Sequence, residues 1–383
     1  MSSSSDFYWK TVNEMLRKDQ IDFNQPISTS SEKLPVLRLT FKDSECLNER
    51  VQFALKNFKE IARLEYELNK AQPEKITLKH LKWAQIFIES AKEALKKENI
   101  LPILNAQSDV SVGEFLLECH LLAQQNSTGG FSIQTDAKRK ELVSYLLGKN
   151  FTEELSTLTP TPSTFAESSQ IIFDSADVTS AIDALISNLS DRTRSPWRIG
   201  SVYVQESLRN KMLDLLTEER LNAATNGTNE RKQPNGEDLA KKFGGKLICN
   251  KNGTICLLID VPPKYIQFTD TPFNQIPIPV NFFRTTKEAI QLVKSTAASI
   301  WTENIEIFYE VATELNATIV WSNALGMFDK IMPSLNIRLD SKQSMKSASS
   351  VINAKEKYVV HVLDATNNTQ KYLYISYGKT FAN

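Results

Sequence analysis

Net charge is absent from this chain, in which 45 Lys and Arg residues are matched by 45 Asp and Glu among 383 residues. Such a balance offers no global field to draw nucleic acid or an anionic membrane. Long apolar runs are missing too, and nothing approaches the roughly 20 residues that a membrane span needs. Met1 to Gln20 mixes serines with charges and holds no apolar stretch of signal-peptide length. These absences predict a soluble, cytoplasmic protein with no nucleic-acid or membrane partner. Histidine is scarce: His80, His120 and His361 are scattered, without the clustering of a metal site. Four cysteines show no CxxC spacing and are expected to stay reduced. Cys249 and Cys256, flanked by Leu and Ile, predict buried and inert thiols. Cys119 and His120 are helical neighbours that do not face each other, so they predict a buried thiol beside a partly exposed imidazole.

Residues 1–44 are polar and Ser-rich, with Pro26 and Pro35 breaking any period, which predicts an arm. Residues 45–164 predict a mostly helical region. Apolar spacing gives one helix over 48–68, a second from Thr77 as cap to Lys96-Lys97, a third over 112–125 and a fourth over 139–147 before Gly148. Two prolines among hydroxyl residues make 150–168 a linker. Beyond it the pattern alternates. Short apolar runs at 171–173, 202–204, 277–283, 298–301 and 318–321 are interleaved with helices at 178–189, 206–221, 286–295 and 305–315. Lys246 to Ile259 predicts a hairpin turning at Asn252-Gly253. The class is therefore α/β with a parallel-rich sheet. Residues 165–345 form one fold unit, and 346–383 end in a further β-hairpin with strands at 358–363 and 372–377. Its Tyr358, Tyr372, Tyr374 and Tyr377 suit either the chain's own sheet or strand addition to a partner.

Six short strings carry a more specific signal. They are Phe173-Asp174-Ser175-Ala176-Asp177, Tyr203-Val204-Gln205-Glu206-Ser207, Asp260-Val261-Pro262-Pro263, Phe283-Arg284-Thr285, Ala298-Ser299-Ile300-Trp301-Thr302-Glu303 and Val320-Trp321-Ser322-Asn323. Their order and spacing resemble the catalytic-domain half of the aldehyde dehydrogenase superfamily, over roughly residues 165–335. The resemblance implies that family's fold, preceded by a truncated remnant of its nucleotide-binding region. It implies a cysteine nucleophile just before the VQES-like string, where this chain reads Ser195-Pro196-Trp197-Arg198. The position falls on Pro196 or Trp197, and neither side chain attacks a carbonyl. The family's glutamate base falls on Ser163 or, with a small gap, on Glu167. Its ribose-holding glutamate falls on Thr271, while the phenylalanine two residues on persists as Phe273.

The family's upstream nucleotide motifs are not visible, and the double glycine Gly129-Gly130 follows a helix rather than a strand. The expectation is a non-catalytic relative with no cofactor. It would act by association with itself or a related subunit through the 355–383 hairpin, like the degenerate second module of the family's tandem-domain branch. Two alternatives stand beside it. One is a divergent NAD(P)-dependent oxidoreductase acting on aldehydes. The other is an esterase using Ser195 or Ser201, for which no neighbouring histidine is seen.

Overall fold

The computed structural model describes residues 36–42, 47–68, 74–90, 103–107, 110–124, 130–156, 168–191, 197–223, 237–253, 255–261, 277–295, 297–326, 350–353, 358–364 and 370–376. The chain divides into Met1–Leu34, which lies outside these residues, and Pro35–Asn383.

The second unit begins with strand β1, Val36–Phe41, where an arm is expected over 1–44. The polar composition of the flanks hides a strand whose alternate residues Leu39 and Phe41 are buried. β1 lies inside a four-stranded sheet of order β2-β3-β1-β4, the others being β2 Ile103–Asn105, β3 Phe131–Asp136 and β4 Phe151–Ser156. β1 runs antiparallel to β3 and β4, and β2 runs parallel to β3. The region 45–164 is thus not simply helical, and part of the expected linker at 150–168 is an edge strand.

Five helices accompany this sheet: α1 Leu47–Lys56, α2 Phe58–Leu68, α3 Glu74–Ser90, α4 Val112–Gln124 and α5 Ala137–Leu147. The single helix expected over 48–68 breaks at Asn57, whose side chain donates to the Phe53 carbonyl at 2.8 Å. Such a local side-chain bond competes with helix continuation. Thr77 lies buried inside α3 and caps nothing. The expected continuation of that helix to Lys97 falls outside the described residues.

The second sheet has ten strands among the described residues, in the order β12-β13-β14-β11-β10-β5-β6-β9-β8-β7. They are β5 Ser168–Ile172, β6 Ile199–Gln205, β7 Lys246–Cys249, β8 Cys256–Ile259, β9 Ile278–Phe283, β10 Ala297–Trp301, β11 Ile319–Ser322, β12 Ser350–Asn353, β13 Tyr358–Asp364 and β14 Gln370–Ser376. Every pairing from β14 to β8 is parallel, and β7, β12 and β13 are antiparallel additions at the two edges. The α/β, parallel-rich class is therefore correct. The helices here are α6 Val178–Leu189, α7 Arg209–Leu215, α8 Glu218–Ala223, α9 Glu237–Phe243, α10 Thr286–Leu292 and α11 Ile305–Glu314.

Strand alternation sorts the core. In β5, Ile172 joins a cluster with Ile182 and Leu185 of α6, whereas Ile171 joins Phe308 and Val311 of α11. A third cluster takes Ala297, Ile319, Trp321 and Tyr374 from the large sheet together with Leu39, Ile61, Trp83 and Phe115 from the first part of the unit. The terminal hairpin is not a separate appendage. β14 pairs with β11 in this chain's own sheet, and its Leu373 and Tyr374 are buried.

Candidate functional site

The resemblance directs attention to the turn before β6, and there the sequence builds a closed aromatic seat. Trp197 is 1% exposed. Asn188, near the end of α6, holds the turn from both sides. Its Nδ2 donates to the Trp197 carbonyl at 2.8 Å, and its Oδ1 accepts from the Ile199 amide at 2.8 Å. The Arg198 carbonyl accepts from the Ser168 amide at 2.8 Å, which ties the turn to the start of β5. The backbone here is fixed at both ends.

The Trp197 side chain meets α3. The Trp83 ring stands edge-on to it at 4.8 Å, and the His80 ring is tilted against it at 5.3 Å. Lys79 Nζ sits 5.9 Å from the Trp197 ring centroid. His80 Nε2 and Asp191 Oδ2 are 2.9 Å apart and both buried, so His80 is not the isolated residue expected from the sequence. Arg198 Nε donates to the Asp191 carbonyl at 3.2 Å. Two glycines make the fit possible. A Cβ at Gly113 would lie 2.2 Å from the His80 carbonyl oxygen. Gly326, with φ +64°, lies where a Cβ would come within 2.5 Å of Lys79 Nζ and 3.3 Å of Trp197 Cβ. No motif announces this cluster, because its members come from distant segments and meet only on folding.

Burial pushes the half-buried Lys79 ammonium down to about 8, and the Asp191 charge opposes that shift. A lysine whose folded value lies below its unfolded value of about 10.4 binds fewer protons when folded within that window. Stability from this group therefore rises between about pH 8 and 10 and is unchanged below it. Cys119 acts in the opposite direction, since burial raises its thiol well above the usual value. The expected result is that unfolding free energy of Lys79→Met, compared with the parent by urea titration, loses its advantage as pH rises from 8 to 10. A difference that stays constant with pH would remove Lys79 as the source.

The landmark strings assemble at the other end of the strands. Asp174 and Gln205 exchange bonds of 3.0 and 2.9 Å. Ser175 and Thr302 hydroxyls lie 2.7 Å apart. Asn323, at φ +48°, clamps Thr302 through bonds of 2.9 and 2.8 Å. Arg284 bonds Glu206 at 2.7 Å and holds its carboxyl below the usual range. Several polar groups of these strings are bonded to one another, while Asp177 caps α6 and Asp260 pairs with Arg209.

Pro196, Ser195, Ser163, Glu167, Thr271 and Phe273 lie outside the described residues. Ser201 shares its hydroxyl with Ser169 of the neighbouring strand at 2.7 Å. Cys119 and His120 are both buried, and His120 Nδ1 lies 3.3 Å from Asn48 Oδ1, so this imidazole is not partly exposed as expected. Cys249 and Cys256 also depart from expectation. They face each other across the β7–β8 hairpin with Cα atoms 4.3 Å apart and are joined as a disulfide. Their direct cross-strand register, invisible in a spacing without a CxxC, brings the two sulfurs together.

Among the described residues the first part of the unit does not form a doubly wound parallel sheet. Its sheet is mainly antiparallel, with β2–β3 the one parallel pair among those residues, whereas a dinucleotide fold has a doubly wound parallel sheet and a glycine turn onto a helix start. Gly113 does open α4, but the space beside it is filled by the His80 backbone.

Among the described residues no three His, Cys, Asp or Glu side chains group as metal ligands, and no helix is long and apolar enough to cross a membrane. No family model and no curated protein matches the chain. Solved structures do. An NAD-dependent aldehyde dehydrogenase from Sinorhizobium meliloti is 13% identical over 75% of each chain, with a TM-score of 0.45. An NADP-dependent enzyme from E. coli is 14% identical, covering 75% of this chain and 78% of its own, with a TM-score of 0.46. Betaine aldehyde dehydrogenase from Staphylococcus aureus is 13% identical, covering 75% of this chain and 76% of its own, also at 0.46. At these values the likenesses carry no argument about the chemistry of this chain; they name the solved proteins that its fold is similar to.

Proposed function

We propose that this chain is a non-catalytic protein of aldehyde dehydrogenase type, kept for its shape and acting by association with other protein. One observation carries the reading. The resemblance puts the nucleophilic cysteine on Pro196 or Trp197; Pro196 lies outside the described residues, and Trp197 is buried and packed against Trp83 and His80. An indole offers no nucleophile to a carbonyl substrate. The mutual hydrogen bonding of the landmark strings favours the same view, since it stabilises a framework without presenting reactive groups.

For association, the edge of the large sheet is the natural surface. β14 and β13 are committed to the chain's own sheet, so the outermost strand at this end among the described residues is β12. An edge strand carries unpaired backbone groups ready for another strand. A solution mass above that of one chain is expected by light scattering. A Val351→Lys and Ile352→Lys double variant is expected to dissociate it, because lysine on an edge strand disfavours strand addition. A parent that runs as a monomer, or an oligomer that survives the double substitution, would remove β12 from any interface.

A further inference from the structure

We propose that Cys249 and Cys256 form a reversible redox couple, which exchanges with low-molecular-weight thiols of the glutathione class through Cys249. The two residues are direct partners in the antiparallel β7–β8 ladder. The next pair towards the turn is hydrogen-bonded, the Asn250 amide donating to the Ile255 carbonyl at 3.1 Å, so the cysteines occupy a non-hydrogen-bonded pair. There the strands approach most closely, here with Cα atoms 4.3 Å apart, and both side chains leave the same face of the sheet. The ladder alone therefore holds the two sulfurs within bonding reach. The hairpin also has other fastenings. Asn250 accepts from the Ile255 amide through its side chain at 3.1 Å and from the Gly253 amide through its carbonyl at 3.0 Å. The Lys251 amide donates to Asn222 Oδ1 at 2.7 Å. On the cysteines' own face, Leu258 clusters with Ala240 of α9, and Leu247 packs against them. A bridge between residues seven apart closes a short loop, for which the chain-entropy gain of a disulfide is small. With the bridge open, the Gly253 carbonyl oxygen, 3.6 Å from Cys256 Sγ, is an acceptor for the thiol proton. One fold thus serves both redox states, as a cycling couple requires.

The two sulfurs differ in access. Among the described residues β7 is the outermost strand at its end of the large sheet, and Cys249 on it is partly exposed. Cys256 on the inner strand β8 is only 5% exposed. A thiolate attacks a disulfide sulfur from the side opposite the bond that breaks, so attack at Cys249 comes from beyond the sheet edge. In the first step a glutathione thiolate bonds to Cys249 Sγ and the Cys249–Cys256 bond breaks. Its electron pair leaves on Cys256 Sγ, which takes up a proton. A second glutathione thiolate then attacks the glutathione sulfur of the mixed disulfide and expels the Cys249 thiolate. Two glutathione thiols are oxidised to their disulfide, and the bridge is reduced to two thiols. Oxidised glutathione drives the same steps in reverse.

The test holds the full chain, without denaturant, in glutathione buffers running from fully oxidised to fully reduced. Samples are quenched in acid and unfolded, free thiols are labelled with N-ethylmaleimide, and each cysteine is read by peptide mass mapping. The bridge is expected in oxidised buffer and two labelled thiols in reduced buffer, with the bridge restored when the buffer is switched back and the circular dichroism spectrum unchanged throughout. Cys119, a buried free thiol, is labelled in every sample and serves as internal standard. Single variants report the point of entry. With oxidised glutathione, Cys256→Ser should form a mixed disulfide at Cys249 about tenfold faster than Cys249→Ser forms one at Cys256. A bridge that reduced glutathione opens only in urea would be a structural crosslink, and a pair still labelled in oxidised buffer would be no couple; either result overturns the proposal. Equal rates in the two variants would overturn Cys249 as the sulfur attacked.

Discussion

Trp197→Ala is expected to cost about 3–5 kcal/mol of folding stability, the range for deleting a large buried aromatic. The loss has three sources. The indole leaves a cavity in the cluster that joins the two halves of the unit, where it is 1% exposed. The edge-on contact with Trp83 disappears, worth about 0.5–1.5 kcal/mol beyond area. Lys79 loses its aromatic floor while its ammonium remains half-buried. Since whole domains are stable by only about 5–15 kcal/mol, this one change removes a large share. Trp197→Phe, which keeps an aromatic face, should cost clearly less. Urea unfolding followed by circular dichroism checks both. A loss under about 1 kcal/mol for the alanine variant would mean that the ring is not sealing the seat.

The second large effect lies away from the seat. Arg139 on α5 and Glu65 on α2 form an ion pair with each side chain 1% exposed. Arg139 Nη1 also donates to the Val110 carbonyl at 3.1 Å, so the guanidinium ties α5 to the segment before α4. Removing one member of a buried pair leaves an uncompensated charge and costs about 3–5 kcal/mol, whereas replacing both by apolar groups is often neutral. Arg139→Met is therefore expected to destabilise strongly, and Glu65→Leu with Arg139→Met to recover most of the loss. The sign with pH is fixed as well. In the single variant the buried Glu65 carboxylate has lost the Arg139 guanidinium and shifts towards its neutral form, so the deficit should shrink as pH falls from 7 towards 5. A deficit independent of pH, or a double variant no better than the single, would contradict the pairing as the source.

The reach of the sequence follows the range of the contacts. The parallel strands 168–322 carry compact apolar runs between well-capped helices, such as α10 behind Thr285 and α11 behind Asn304, and those signals are local. The strands of the small sheet are not. β1 follows Pro35, and β4 is an edge strand in which residues 152–155 all face solvent. Their identity rests on antiparallel partners across the chain, Leu39 with Ile133 and Glu153, which no window of sequence contains. α4 shows the same limit. It is buried on almost every side, so its period points nowhere.

At the candidate site the sequence supplied the turn and the missing thiol. It did not supply Trp83, His80, Lys79 or Asp191, because the packing of α3 against that turn is purely tertiary. The Cys249–Cys256 bridge escaped for a related reason, since only the hairpin register places those residues opposite each other.

On the proposed reading, this chain binds no nicotinamide dinucleotide. Thermal unfolding of the purified chain with saturating NAD+ or NADP+ tests that directly. The midpoint is expected to stay unchanged with either nucleotide. A saturable rise would contradict it, because a ligand at 100 times its dissociation constant adds about 2.7 kcal/mol.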